Sequence, residues 1–290
     1  MPLLRPRKTW STPVVEEERL HVPCALCGGT RFVPSLVCDG FSYVKCAGCA
    51  LIQINPQPVA DSVKARYGEN YLAYELENEE NFLTLQLLGL ADAGFPKIER
   101  GLMERAGREG EKPRLLDVGC ATGALLAVLR DRNWNVTGSE ISPAAEHARE
   151  KRGLDVRRTG LEDCRFPDAR FDVVLASHLI EHLNRPAEFL REVRRILRPG
   201  GYFMVTTPNA SGFQARLFGG RWRGAIFDHL YVFSKRTLKA MLKAQGFSVK
   251  GVYTWGGLAA GTAPAPVKRF ADRAAKRLGA GDVMLIKARK

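Results

Sequence analysis

The chain of 290 residues is 45% hydrophobic and 26% charged, with a formal charge of +13, which suits a soluble globular protein with room for one full α/β domain and a small appendage. No apolar run approaches the roughly 18 residues that a membrane span needs, and Met1–Lys8, basic and proline-rich, lacks the apolar stretch of a secretory signal, so a cytoplasmic location is expected. The charge is uneven: residues 185–290 hold 21 Lys/Arg against 5 Asp/Glu, a basic third that suits either a solvated helix face or an anionic partner.

In chain order, residues 1–20 read as a flexible tail. Residues 21–56 are rich in Cys, Gly and Pro. Here Cys24-x-x-Cys27 and Cys46-x-x-Cys49 stand 18 residues apart, a spacing that lets two thiolate-bearing turns converge on one tetrahedral zinc. Gly28 and Gly48 fall where a knuckle turn needs positive φ or a close backbone approach to sulfur. Four thiolates leave no open coordination position, so the metal is expected to be structural. Cys38 is off the spacing and reads as packing.

Pro56 and Pro58 mark a boundary, and residues 57–112 read as a helical cap or linker with an amphipathic stretch at Asn81–Ala93. From Pro113 onward, short apolar runs alternate with helical patterns, as in parallel βαβ units. The runs are Arg114–Val118, Asn135–Ser139, Leu154–Arg158, Phe171–Ala176 and Tyr202–Thr207, with helices at Ala124–Asn133, Pro143–Arg152 and Pro186–Leu197 between them. Pro199-Gly200-Gly201 should end the last of these helices. Ser234–Gln245 reads as an N-capped helix, Gly256–Pro266 as a flexible loop, and Phe247–Tyr253 and Asp282–Ala288 as closing strands. The expected fold is thus α/β: a doubly wound, seven-stranded Rossmann-like sheet over residues 113–290, preceded by a small zinc-binding module.

The segment Leu115-Leu116-Asp117-Val118-Gly119-Cys120-Ala121-Thr122-Gly123 puts a carboxylate in a buried strand and two glycines in the turn after it. Open α/β sheets bind ligands at this place, the crevice at the strand ends. Glu140 lies 21 residues beyond Gly119, at the end of the second run, where it can take both hydroxyls of a ribose. The dinucleotide fingerprint needs Gly two positions after the first, and Ala121 stands there, so the loop suits a ligand without pyrophosphate.

These segments, with Leu161-Glu162-Asp163, Phe166-Pro167-Asp168, Phe171–Leu183 and Leu197–Gly201, resemble the class I S-adenosylmethionine-dependent methyltransferases in the right order. The resemblance implies a seven-stranded sheet with its last strand antiparallel. It also implies cofactor contacts from Asp117, Gly119 and Gly123, from the backbone of Cys120 and Ala121, from Glu140 on the ribose, and from Ile141, Leu161 and Glu162 around the adenine. Ser177 and His178 would line the methionine part. Gly160 departs from the family pattern, which often has Asp there. The start of the chain, with Tyr67-Gly68-Glu69-Asn70-Tyr71, is similar to a bacterial subgroup associated with small-molecule tailoring.

Such enzymes chiefly align an acceptor with the S–CH₃ bond and exclude water, and an oxygen or nitrogen acceptor may need a base. His21 and His147 read as structural, which leaves His178, His182 and His229. His229 is the favoured base, in a loop from Pro208 to Tyr231 whose Phe213, Phe218, Trp222 and Phe227 could line a pocket. A small-molecule acceptor is expected. The alternative is an RNA methyltransferase using the zinc module and the basic C-terminal surface.

Overall fold

The computed structural model describes residues 17–38, 41–257 and 264–290. Most of the expected N-terminal tail and the middle of the Gly256–Pro266 loop lie outside them. The cysteine-rich segment supplies β1 (Phe32–Cys38), β2 (Phe41–Cys46) and β3 (Ile52–Ile54). Residues 17–20, placed by the sequence in the tail, are engaged: Arg19–Leu20 pairs with Gln57–Pro58, and Glu17 holds Arg66.

Two long helices follow, α1 (Glu69–Asp92) and α2 (Phe95–Glu109). The α/β unit then runs through β4 (Arg114–Val118), α3 (Ala124–Asp131), β5 (Asn135–Ser139), α4 (Ala144–Arg152), β6 (Val156–Arg157) and β7 (Phe171–Ser177). It continues through α5 (Pro186–Ile196), β8 (Leu197–Pro208), β9 (Tyr231–Val232), α6 (Lys235–Ala244), β10 (Ser248–Trp255), α7 (Ala265–Arg277) and β11 (Val283–Arg289).

Seven strands form one mixed sheet in the order β10-β11-β8-β7-β4-β5-β6. Strands β6, β5, β4, β7 and β8 are parallel neighbours, and β11 is antiparallel to both β8 and β10. The expected seven-stranded sheet with an antiparallel final strand is therefore present. β4 is buried on both faces by helices, with Leu115 and Leu116 fully enclosed. Burying a leucine of this kind is worth roughly 1.5–3 kcal/mol, and that is why the central strands read as unbroken apolar runs.

The differences from the sequence reading have local causes. The fifth strand starts at Leu197, which already pairs with Phe171, and Arg198–Gly201 forms a bulge before pairing resumes at Tyr202. Pro199-Gly200-Gly201 therefore bends a strand instead of leading from helix to strand. The third strand shrinks to Val156–Arg157 at the sheet edge. Helix α7 was missed because its protein-facing side is made of small residues, and its Val267, Phe270 and Leu278 neighbourhood is exposed. The Ser234 cap is as read: its hydroxyl accepts from the Thr237 amide, and Thr237 reciprocates.

A second sheet joins distant parts of the chain. β1, β2 and β3 are extended by β9, in the order β9-β3-β2-β1, with Tyr231 opposite Gln53 and Val232 opposite Ile52. Phe41, Tyr43 and Ile54 of the N-terminal segment share a core with Trp222, Ala225, Phe227 and Val232.

Candidate active site

The glycine-containing turn after β4 follows from its backbone angles. Gly119 (φ 72°), Ala121 (φ 47°) and Gly123 (φ 76°) are all left-handed, a region that costs little only for glycine. A Cβ on Gly123 would also stand 2.6 Å from Leu154 Cδ1. The Gly119 and Cys120 amides both donate to the Ser139 carbonyl, at 2.8 and 3.2 Å, which ties the turn to the end of β5. The Cys120 amide is thus engaged within the fold, and its buried thiol packs where a side chain on Gly138 would sit.

Glu140, just beyond β5, is buried and reaches back across the turn. One carboxylate oxygen accepts from the Ala121 amide at 3.0 Å and the other from the Ser142 amide at 2.8 Å. Burial raises its pKa against the pull of these amides. Asp117, also buried, is pushed up to about 7 by burial and by the charge of Glu140. Two strained carboxylates at the strand ends suit a ligand that carries an ammonium group and a diol.

Ile141 follows Glu140 and is half-buried, Leu161 is buried at the start of the 3₁₀ turn Leu161–Cys164, and Glu162 is exposed. The Glu162 carboxylate folds back over Gly160: a Cβ there would lie 2.8 Å from Glu162 Oε1. The space of an aspartate at 160 is thus taken by the next carboxylate. Ser177 ends β7, and His178 is exposed in a left-handed conformation (φ 51°). Leu179 then closes on the glycine turn, 3.3 Å from where a Gly119 Cβ would be.

Helix α1 contributes residues that pattern reading missed. The charges of Glu140 and Glu75 act on Tyr71, and Glu75 itself is pushed up to about 7 by burial and by Glu140. One turn further, Glu79 accepts from Arg152 at 2.6 Å, and Arg152 also donates to the Thr122 carbonyl at 3.0 Å. The first turns of α1 therefore lie over the turn after β4.

Three side chains meet beside His178: Glu181, His182 and His229 are all buried, with their ligand atoms within 4.8 Å of one another. The two imidazole rings cross at 4.7 Å, and Tyr67 packs edge-on against His182. His182 Nδ1 lies 2.9 Å from the Asp228 carbonyl and His229 Nδ1 lies 2.8 Å from the Gly224 carbonyl. Burial lowers the pKa of both rings, His182 to about 3, so both are neutral. Burial pushes Glu181 up, and the His178 ring, at 3.3 Å, pulls it back below the ordinary carboxylate range. His21 and His147 stand outside this cluster.

The Pro208–Tyr231 loop differs from the expected aromatic pocket wall. Trp222 and Phe227 are buried against Phe41 and Tyr43, with Phe41 and Phe227 stacked at 5.6 Å, while Phe213 faces solvent. These aromatics fasten the loop to the cysteine-rich segment because that face had to be covered. Asp228, next to His229 in the chain, pairs with Arg66 at 3.1 Å, and Arg66 also grips Glu17 at 2.7 Å.

The four cysteines converge. Cys24 and Cys49 sulfurs are 3.4 Å apart, those of Cys27 and Cys46 3.5 Å, near the edge of about 3.8 Å that a tetrahedron with 2.3 Å metal–sulfur bonds would have. The two turns are built alike: Cys24 and Cys46 each donate to the carbonyl five residues on and accept from the amide four residues on. Gly28 is left-handed, as read. In the second turn Ala50 (φ 66°) takes that conformation, while Gly48 is the close approach, 3.7 Å from Cys27 Sγ. Cys38 is buried and donates to the Ala225 carbonyl.

Known proteins agree with this architecture. The methyltransferase-domain family profile matches residues 91–250. A probable S-adenosylmethionine-dependent methyltransferase of Mycolicibacterium smegmatis is 35% identical over 151 residues, covering 50% of this chain and 57% of that protein. A ubiquinone biosynthesis O-methyltransferase of Cereibacter sphaeroides is 36% identical over 118 residues, covering 38% of this chain and 47% of that protein. The chain therefore spans about half the length of the curated relatives it matches. Among solved structures, a SAM-dependent methyltransferase from Thermotoga maritima shares the fold, with a TM-score of 0.52 and 22% identity over 75% of this chain and 97% of that one. With the turn after β4, the buried carboxylates and a profile match over more than half of its length, the chain belongs to the S-adenosylmethionine-dependent methyltransferases.

Proposed function

We propose that the protein methylates a hydroxyl of a small-molecule acceptor, which sits between the turn after β4 and the Glu181–His182–His229 cluster under the first turns of α1. The observation that carries this reading is the cluster itself, beside His178 and next to Leu179, which closes on Gly119. S-adenosylmethionine supplies an activated methyl group, and Asp117, Gly119, Ala121, Gly123 and Glu140 are the residues that would hold it, with Ile141, Leu161 and Glu162 at the adenine and Ser177 and His178 at the methionine part. Held there, S-adenosylmethionine would supply its methyl group to the acceptor oxygen and keep the electron pair of the carbon–sulfur bond on sulfur. His229 would act as the base on the acceptor, with His182 and Glu181 as its buried neighbours, and the exposed His178 would pass the proton to solvent.

We further propose that Cys24, Cys27, Cys46 and Cys49 hold a structural zinc, as their converging sulfurs suit. The oxygen acceptor is favoured by the relatives named for O-methylation. An RNA acceptor has no supporting observation, and the aromatic face of the cysteine-rich segment is covered by the Trp222–Phe227 loop. The test is transfer of a labelled methyl group with low-molecular-weight extract and, separately, with total RNA. Label confined to RNA would overturn the acceptor class, and failure to bind S-adenosylhomocysteine in calorimetry would overturn the cofactor assignment.

A further inference from the structure

We propose that Glu181, His182 and His229 form a second metal centre, which takes one divalent first-row cation and uses it to hold and acidify the acceptor oxygen. This rests on the reading above and specifies how the cluster draws off the proton.

The geometry is that of a ligand set. Three ligand atoms from two separate segments, the 3₁₀ turn Ile180–His182 and the loop before β9, come within 4.8 Å of one another in a buried place. Both imidazoles lean on main-chain carbonyls through Nδ1. That arrangement orients each ring and leaves the Nε2 atom as the basic nitrogen, in the way that outer partners fix metal-binding histidines.

Glu181 supplies the second, independent observation. Both of its carboxylate oxygens are buried without a hydrogen bond among the described residues, and the His178 ring stands 3.3 Å from one of them. No lysine or arginine pairs with it among the described residues. Arg66, the cation of this region, is instead shared between Asp228 and Glu17. A buried carboxylate left this way is costly, and a divalent ion between it and the two imidazoles would satisfy it.

Two imidazoles and one carboxylate suit Zn²⁺, Mn²⁺ or Fe²⁺ better than Ca²⁺. Three protein ligands leave coordination positions open, as in catalytic and not structural sites. A hydroxyl bound there would lose its proton more readily, and the exposed His178, 3.3 Å from Glu181, would take it to solvent. The site differs in kind from the four thiolates, which select soft metal binding with no open position.

The experiment uses the full chain with zinc retained in the cysteine site, and Mn²⁺ as the probe, followed by the electron paramagnetic resonance signal of the free ion. One Mn²⁺ bound per chain is expected, weakened at least tenfold by Glu181→Gln and by His229→Gln, and unchanged by His147→Gln. S-adenosylhomocysteine affinity, measured on each variant, reports that the fold is intact; His229→Asn serves if His229→Gln fails that check. Methyl transfer should fall at least tenfold after EDTA dialysis that leaves one zinc per chain, and return with Mn²⁺ or Zn²⁺. Equal Mn²⁺ binding by wild type and Glu181→Gln, or full transfer with no ion beyond the cysteine-bound zinc, would overturn the metal centre while leaving the methyltransferase reading in place. Mn²⁺ binding with no S-adenosylhomocysteine binding would uphold the site and overturn that reading instead.

Discussion

The Tyr43 hydroxyl lies 2.7 Å from the main-chain carbonyl of His229 and 2.6 Å from that of Ile226, so a residue of β2 fixes the loop that carries His229. The cysteine-rich segment is therefore joined to the Glu181–His182–His229 cluster by a buried hydrogen bond as well as by packing.

Tyr43→Phe removes the one hydroxyl proton shared between these carbonyls, of which Ile226 keeps the His229 amide as a donor, at a cost of about 1–3 kcal/mol. The expected outcome is a lower midpoint in urea, and turnover reduced more than S-adenosylhomocysteine affinity. Turnover and stability equal to wild type would show that the bond does not position His229.

Cys46→Ser should abolish the zinc content of the purified protein and lower its thermal midpoint if the proposed zinc ties the two cysteine turns together. Elemental analysis beside a thermal melt checks this. Zinc retained in the variant would exclude Cys46 as a ligand.

Glu140→Ala should weaken cofactor binding by about 1–3 kcal/mol, through loss of charge-assisted hydrogen bonds. Because Glu140 also accepts from the Ala121 and Ser142 amides, Glu140→Gln should retain much of the fold while losing affinity. Calorimetry with S-adenosylhomocysteine measures both, and unchanged affinity in folded protein would remove the ribose role.

Asp117 makes a pH prediction. Its pKa is about 7 in the fold, against about 3.9 for an ordinary aspartate, so near pH 6 the folded protein holds a proton that the unfolded chain does not. Stability from this group is fullest below the unfolded value and is lost as pH rises through about 7. An ammonium group bound beside Asp117 favours its ionised form, so cofactor binding should release a proton and weaken as pH falls below about 7. Calorimetry in buffers of different ionisation enthalpy reads this release. No buffer dependence and a flat affinity profile would place the ammonium group elsewhere.

Arg66→Met would leave Glu17 and Asp228 buried without their shared cation. Removing one partner of a buried pair costs about 3–5 kcal/mol, so the variant should unfold at clearly lower denaturant concentration. A shift within the range of surface substitutions would show that water replaces the guanidinium.

Much of the sheet was legible because β4, β5, β7 and β8 are short apolar runs separated by amphipathic helices, a pattern that two-sided burial imposes. The turn at Gly119–Gly123, Glu140 and the paired cysteines were legible because each depends on local spacing. What spacing does not encode is long-range contact. Nothing around Tyr43 announces a bond to residue 229, and nothing in Glu181-His182 announces His229 as a neighbour, because the loop between β8 and β9 brings them together. The aromatics of that loop read equally well as a pocket wall or as a fastening, and only the uncovered face of Phe41 and Tyr43 decides it.

The pairing of β9 with β3 has a consequence for how the protein is made. On the ribosome, Cys24 to Cys49 emerge early, but the open side of Ile52–Ile54 has no partner until Tyr231–Val232 has been synthesised. At about 5–20 residues per second that wait lasts on the order of ten to forty seconds. During it, an exposed apolar strand edge is available to other nascent chains. Fragments ending before β9 should therefore aggregate even with zinc supplied, and chaperone demand should be concentrated in this interval of synthesis.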